Sequence, residues 1–208
     1  ADKNNIILIF DECTSGFREC LGGIQKKYKV DPDIMMLGKA LGNGYAITAV
    51  LGKKEVMSSI SKTFISSTFW TESIGPTAAI ETLKIMERKR TWTYITNLGI
   101  YIRKKWLQIA RKNKIKIKIQ GIPSLSTFIF QSNNHQAYKT YITQEMLKNG
   151  FLATTTIYVS IAHTKKIINK YLKCLEKIFL VISRCEKGDD IYKYLNTKVS
   201  ETDFARLN

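Results

Sequence analysis

Ile6-Ile-Leu-Ile-Phe-Asp-Glu12 and Asp33-Ile-Met-Met-Leu-Gly-Lys39 decide how this chain reads. Each is a short unbroken apolar run that ends on charged residues. Such a run, bounded by turn formers, is the pattern of a strand buried on both faces of a parallel sheet. Between the two lies a crossover containing Gly16, Gly22, Gly23 and a short amphipathic piece, Ile24 to Tyr28. Strand, crossover and strand make a βαβ-like unit, right-handed by default. Ala46-Ile-Thr-Ala-Val-Leu51 reads as a third strand, ending at Gly52.

Downstream the period changes. Ala78, Ala79, Leu83, Ile85 and Met86 recur at helical spacing behind Gly75-Pro76, where a first-turn proline is favourable. A second helix is predicted from about Trp92 to Lys112, as the link to a smaller α+β domain. There Lys114-Ile-Lys-Ile-Lys-Ile119 alternates as an edge strand and Ser126-Thr-Phe-Ile-Phe130 follows as another. Tyr138 to Asn149 reads as a helix closed by Gly150, Thr156 to Ser160 as a strand, and Thr164 as the cap of a helix reaching about Cys185. The domain division expected is 1–91 and 92–208.

Composition narrows the function classes. The chain has 208 residues, 44% hydrophobic and 24% charged, which is ordinary globular usage. No apolar run approaches the roughly 20 residues that span a bilayer, and no basic-then-apolar leader opens the chain. A cytoplasmic protein with no membrane partner is expected. Cys13, Cys20, Cys174 and Cys185 form no C-x-x-C pair and have no histidine at metal spacing, so neither a zinc site nor disulfides are expected. The net charge of +16 comes with lysines along the whole chain and an excess of Ile and Asn. It reads as compositional drift of a basic surface rather than as a nucleic-acid site. The chain also starts at Ala1, without Met, almost directly on a strand, so an upstream part is expected to be missing.

The chemistry lies where the two strands end. An acid and a lysine at the C-terminal ends of neighbouring parallel strands share the edge at which open α/β sheets bind ligands. A desolvated lysine becomes nucleophilic and forms Schiff bases. A carboxylate facing a pyridine nitrogen keeps that ring protonated. From spacing alone, Asp11 serves equally as a helix cap and Lys39 as one surface lysine among many.

The local wording carries more than the spacing. Phe10-Asp-Glu-Cys-Thr-Ser-Gly-Phe-Arg18, Gly22-Gly23, Asp31-Pro-Asp33 and Leu37-Gly-Lys-Ala-Leu-Gly-Asn-Gly44 resemble the class III aminotransferase signature. Ser67-Thr-Phe-Trp-Thr-Glu72, Gly75-Pro-Thr-Ala-Ala79, Ile157-Tyr-Val-Ser-Ile-Ala-His-Thr164 and Phe204-Ala-Arg-Leu-Asn208 are similar to the same family. Within it they are most like the subgroup of glutamate-1-semialdehyde 2,1-aminomutase and its aminotransferase relatives.

The resemblance implies a fold-type I enzyme dependent on pyridoxal 5′-phosphate, represented by the C-terminal part of the large domain plus the small α+β domain. It places Lys39 on the Schiff-base lysine and Asp11 on the pyridinium partner. Cys13 falls on the residue beneath the ring, where Val is usual. Thr68 falls on a residue that binds the cofactor phosphate of the partner subunit, which implies a homodimer. Glu12 and Trp70 are candidates for substrate contacts, each equally readable as structural. Asn43 stands for a glycine in the turn after the lysine and tolerates the left-handed region. His163 and Thr164 read as a capping or packing pair.

An amino donor and a carbonyl acceptor, both small molecules, are the partners implied. Transamination and the aminomutase's intramolecular amino shift remain open, as does a degenerate scaffold acting as a basic binding module. The half carrying the phosphate turn and the ring-stacking aromatic is absent, so the isolated chain is expected to be inactive.

Overall fold

The computed structural model describes residues 1–66 and 68–201. Ser67 and Phe204–Asn208, which belong to the quoted motifs, lie outside the described residues. The chain forms two compact units, Ala1–Thr96 and the part from Asn97 onward. No helix of the described residues is long and apolar enough to cross a membrane.

The first unit is built on a three-stranded sheet in the order β1-β2-β3, with β1 at Ile9–Glu12, β2 at Ile34–Leu37 and β3 at Ala49–Gly52. β1 and β2 are parallel, as the two apolar runs predict; β3 is antiparallel to β2. Helix α1 (Gln25–Tyr28) lies in the crossover and α2 (Lys54–Met57) follows β3. Helix α3 (Ile74–Lys89) places Ala79, Leu83 and Met86 against Phe17, Leu37 and Leu41. Its start is held by Glu72, whose carboxylate accepts the N–H groups of Ile74 and Gly75. A Cβ at Gly75 would stand 2.8 Å from the Ala46 carbonyl oxygen, so only glycine lets the helix start so close to the approach to β3.

One expectation fails here. The run from Ile6 was read as a strand covered on both faces, yet pairing begins only at Ile9, and Ile6, Ile7 and Ile9 are all half exposed or more. β1 is an edge strand, and no element of this chain pairs with its outer side among the described residues. An apolar run records what a strand is suited to face, and burial still requires a neighbour.

The second unit pairs β4 (Ile117–Ile122), β5 (Leu125–Phe130) and β6 (Thr156–Tyr158) antiparallel in that order. Around it stand α4 (Thr91–Lys112, which begins in the first unit), α5 (His135–Lys148) and α6 (Lys165–Cys185). β4 is the expected edge strand but starts later than its Lys-Ile alternation, because Lys114 takes a left-handed turn (φ 58°) just after α4. The core is an aromatic cluster: Phe128 meets Trp106 edge-on at 4.8 Å between centroids, and Phe130 meets Tyr138 at 5.3 Å. The indole N–H of Trp106 donates to the Tyr171 hydroxyl at 3.1 Å, satisfying a buried donor. The Thr164 hydroxyl accepts the N–H of Ile167 and so caps α6 as expected. Gly150 sits just beyond α5 at φ 78°.

Candidate active site

The parallel register sets the site. Asp11 lies opposite Met36 and Glu12 opposite Leu37, so both strands deliver their next residues to the same edge. Beyond β1 the chain doubles back: the Gly16 N–H donates to the Glu12 carbonyl at 2.8 Å. A Cβ at Gly16 would sit 2.7 Å from that oxygen and 2.9 Å from Leu37 Cδ2, which bars any larger residue. Beyond β2, Lys39 adopts φ 42° and Asn43 φ 49°. The left-handed Asn43 is what its tolerance predicts; a left-handed lysine is uncommon and marks a locally imposed conformation.

These two turns bring Lys39 to Thr14. The ammonium of Lys39 donates to the Thr14 hydroxyl, and both Lys39 and Asp11 are exposed. The Asp11 carboxylate accepts the Cys13 N–H at 3.0 Å. Acid and lysine therefore share one edge while spending their contacts on Cys13 and Thr14 rather than on each other. Cys13 stands between them, with its Sγ 3.5 Å from where a Gly38 Cβ would lie. Partial burial pushes its thiol pKa up, the Asp11 carboxylate adds to that, and the Lys39 ammonium opposes it.

Glu12 faces elsewhere. It is 1% exposed; one carboxylate oxygen accepts the Ile24 N–H at 2.7 Å and the other accepts the Ser15 hydroxyl at 2.6 Å. It staples the loop after β1 to the start of α1, and both oxygens are taken. Thr68 and Trp70 lie on an exposed turn before α3, with Trp70 68% exposed. No hydrogen bond joins Thr68 to Asp11 or Lys39 among the described residues. His163 accepts the Ser160 N–H through Nδ1, the packing role expected. Among the described residues no cluster of His, Cys, Asp and Glu is placed to hold a metal ion.

Thr14 is the residue that sequence reasoning missed. Its signal was a hydroxyl three positions after Asp11 and just before Gly16, in a loop that must fold back toward β2.

A lysine and an aspartate at the C-terminal edge of a parallel strand pair define, with this fold, a protein of the fold-type I group. The chain matches the family model for aminotransferase class-III over residues 1–179, and it belongs to that family. It is 37% identical over 157 residues to a 3-aminobutyryl-CoA aminotransferase of Cloacimonas acidaminovorans (strain Evry), covering 73% of this chain and 38% of that protein. It is 30% identical over 195 residues to a glutamate-1-semialdehyde 2,1-aminomutase of Methanocaldococcus jannaschii, covering 86% of this chain and 46% of the relative. Among solved structures, the PLP internal aldimine form of the Sphingopyxis sp. MTA144 FumI protein superposes with a TM-score of 0.82 at 22% identity, over 92% of this chain and 47% of that one. An acetylornithine aminotransferase of Elizabethkingia anophelis gives 0.77 at 24%, over 86% and 47%. At these identities the superpositions speak for the fold. The chain spans less than half the length of these relatives.

Proposed function

We propose that this chain is the lysine-bearing half of a pyridoxal-phosphate-dependent class III aminotransferase. The observation that carries the proposal is the meeting of Asp11 and Lys39 at one sheet edge, with Thr14 and Cys13 between. The donor set fits the cofactor, a carboxylate suiting a ring nitrogen and a primary amine an aldehyde. Lys39 is exposed here, so the desolvation expected of it would have to come from the bound cofactor and the complementary half.

Pyridoxal phosphate, when bound, supplies an electron sink for the charge left when an amine loses its α-proton. Lys39 would hold it through Nζ, and the same amine is suited to take and return a proton as general base and acid. Thr14 fixes the position of Nζ through its hydroxyl. Asp11 would pair with the ring nitrogen and favour its protonated form, and Cys13 would offer the ring a small, polarisable packing surface. Glu12 acts through the loop it staples. Thr68 and Trp70, on their exposed turn, reach the second active site of a homodimer, with Thr68 on the partner's cofactor phosphate. The substrates are a small amino donor and a carbonyl acceptor, and the compartment is the cytoplasm.

The remaining cofactor contacts come from a complementary half. The bare edge of β1 and the coverage of less than half of the relatives support this. The 30% identity to an aminomutase over 195 residues supports a second reading, in which the amino group moves within one substrate.

Borohydride reduction with pyridoxal phosphate, followed by peptide mapping, tests the site. Co-expressed with its upstream reading frame, the chain should carry the reduced adduct on Lys39, and Lys39→Ala should abolish both adduct and transamination. An adduct on another lysine, or transamination that survives Lys39→Ala, overturns the assignment. Stable visible absorbance of bound cofactor in the isolated chain overturns the half-enzyme reading alone.

A further inference from the structure

The net charge of +16 is not spread evenly along the chain. Residues 97–208 hold 20 Lys and Arg against 7 Asp and Glu, whereas residues 1–96 hold 13 against 10. Thirteen of the sixteen surplus charges thus fall in the second unit. The weighting comes as much from fewer acids as from more lysines, so the arrangement of the cations matters more than their number.

Within that unit the cations form a line. Lys166, Lys170, Lys173 and Lys177 recur at steps of four, three and four along α6, and all four are exposed. They make one row with about one ammonium per 5.4 Å turn. The opposite face of the helix buries Ile168, Leu175, Phe179 and Ile182, which fixes the row toward solvent. On α4, Tyr101, Lys105, Gln108 and Lys112 recur at the same spacing, and with Lys173 and Glu176 they line a groove of roughly 520 Å³ between the helices. The Tyr101 hydroxyl donates to Asn169 at 2.7 Å, and the ammonium groups of Lys105 and Lys165 stand over its ring at 5.8 and 5.5 Å. Glu176 pairs with Lys112 at 2.5 Å. No carboxylate pairs with the four lysines of the row among the described residues.

We propose that the α4–α6 face binds the phosphodiester backbone of a single-stranded nucleic acid. A line of exposed ammonium groups matches a linear polyanion better than a compact one. The other candidate, an acidic protein surface, fits less well: protein interfaces are depleted in lysine, whereas Lys105, Lys112 and Lys173 line this groove beside Ile109 and Leu172. The binding is sequence-independent and salt-dependent, because only phosphate charge is recognised.

Fluorescence anisotropy of the full chain with a labelled oligonucleotide of about 16 nucleotides, titrated at several salt concentrations, tests this. The quadruple change of Lys166, Lys170, Lys173 and Lys177 to Gln should weaken binding at least tenfold. It should also flatten the log–log salt slope by roughly 2 to 3, at about 0.7 for each phosphate that is no longer neutralised. Changing Lys114, Lys116, Lys118 and Lys139 to Gln removes equal charge elsewhere on the unit and should cost less than threefold. Unaltered circular dichroism identifies variants that remain folded. Equal weakening by the two quadruple variants overturns the proposal in favour of diffuse charge. So does absence of binding at about 0.1 M salt, or a polyglutamate of matched charge that binds as tightly.

Discussion

The two units are of similar length and solve the problem of burial differently. Among the described residues the second unit buries twenty-four hydrophobic residues and leaves nine large ones exposed; the first buries five and leaves seventeen exposed. The second closes its core from its own sequence, through Trp106, Phe128, Phe130 and Phe179. The first carries the candidate active site on a sheet whose outer strand, β1, pairs on one side only among the described residues. The unit bearing the candidate site is thus the one with fewer buried and more exposed hydrophobic residues, as the proposed half-enzyme would require. The self-sufficient unit carries the charge.

The largest test of this contrast is truncation in each unit. Phe128→Ala removes a fully buried ring from the middle of the aromatic cluster and should cost about 3–5 kcal/mol. Phe64→Ala removes a ring that is 95% exposed and should change stability by less than about 0.5 kcal/mol. Because two units need not unfold together, amide hydrogen exchange resolved by segment is the right measurement. Comparable losses at both positions would erase the distinction between a closed core and an open one.

Tyr171→Phe is the next step down. It removes the acceptor of the Trp106 indole N–H and leaves a buried donor unsatisfied, at a cost of about 1–3 kcal/mol confined to the second unit. Thr164→Ala should follow at about 1 kcal/mol, through loss of the cap on α6, and should appear first as faster exchange at Ile167 and Ile168.

The same contrast explains what was legible in the sequence. That Asp11 and Lys39 share an edge was readable because an apolar run fixes where a strand ends and parallel strands that end together share an edge; their roles came only from the resemblance. The α6 cap and the left-handed Asn43 were readable because each is a local rule about one residue. Burial of Ile6 to Ile9 was misread because it depends on a neighbouring strand that no local pattern reports. The grip of Thr14 on Lys39 and the stapling by Glu12 were out of reach for a related reason. Both depend on the path of a loop that Gly16 folds back onto the sheet. The lysine row on α6 went unread because the charge was averaged over the whole chain, while the row is defined by the opposite, buried face of one helix.

The smallest effect should come from Asp33, which ties the first unit together at the end of the sheet away from the site. Its carboxylate accepts the Leu8 N–H at 2.7 Å and pairs with the Lys53 ammonium at 2.9 Å, linking the segment before β1 to the residue after β3. The Leu8 hydrogen bond, then the Lys53 hydrogen bond and charge, hold its pKa below the ordinary value, with partial desolvation opposing them. Because the folded-state pKa is the lower one, Asp33 stabilises the fold fully above the unfolded-state value of roughly 3.9. That contribution fades as pH falls through the depressed folded value. Exchange at Leu8 should therefore accelerate below about pH 4. Asp33→Asn should remove this acid dependence while leaving the second unit's amides unchanged. If Asp33→Asn alters protection around Phe128 as much as around Leu8, the two units do not hold their stability separately.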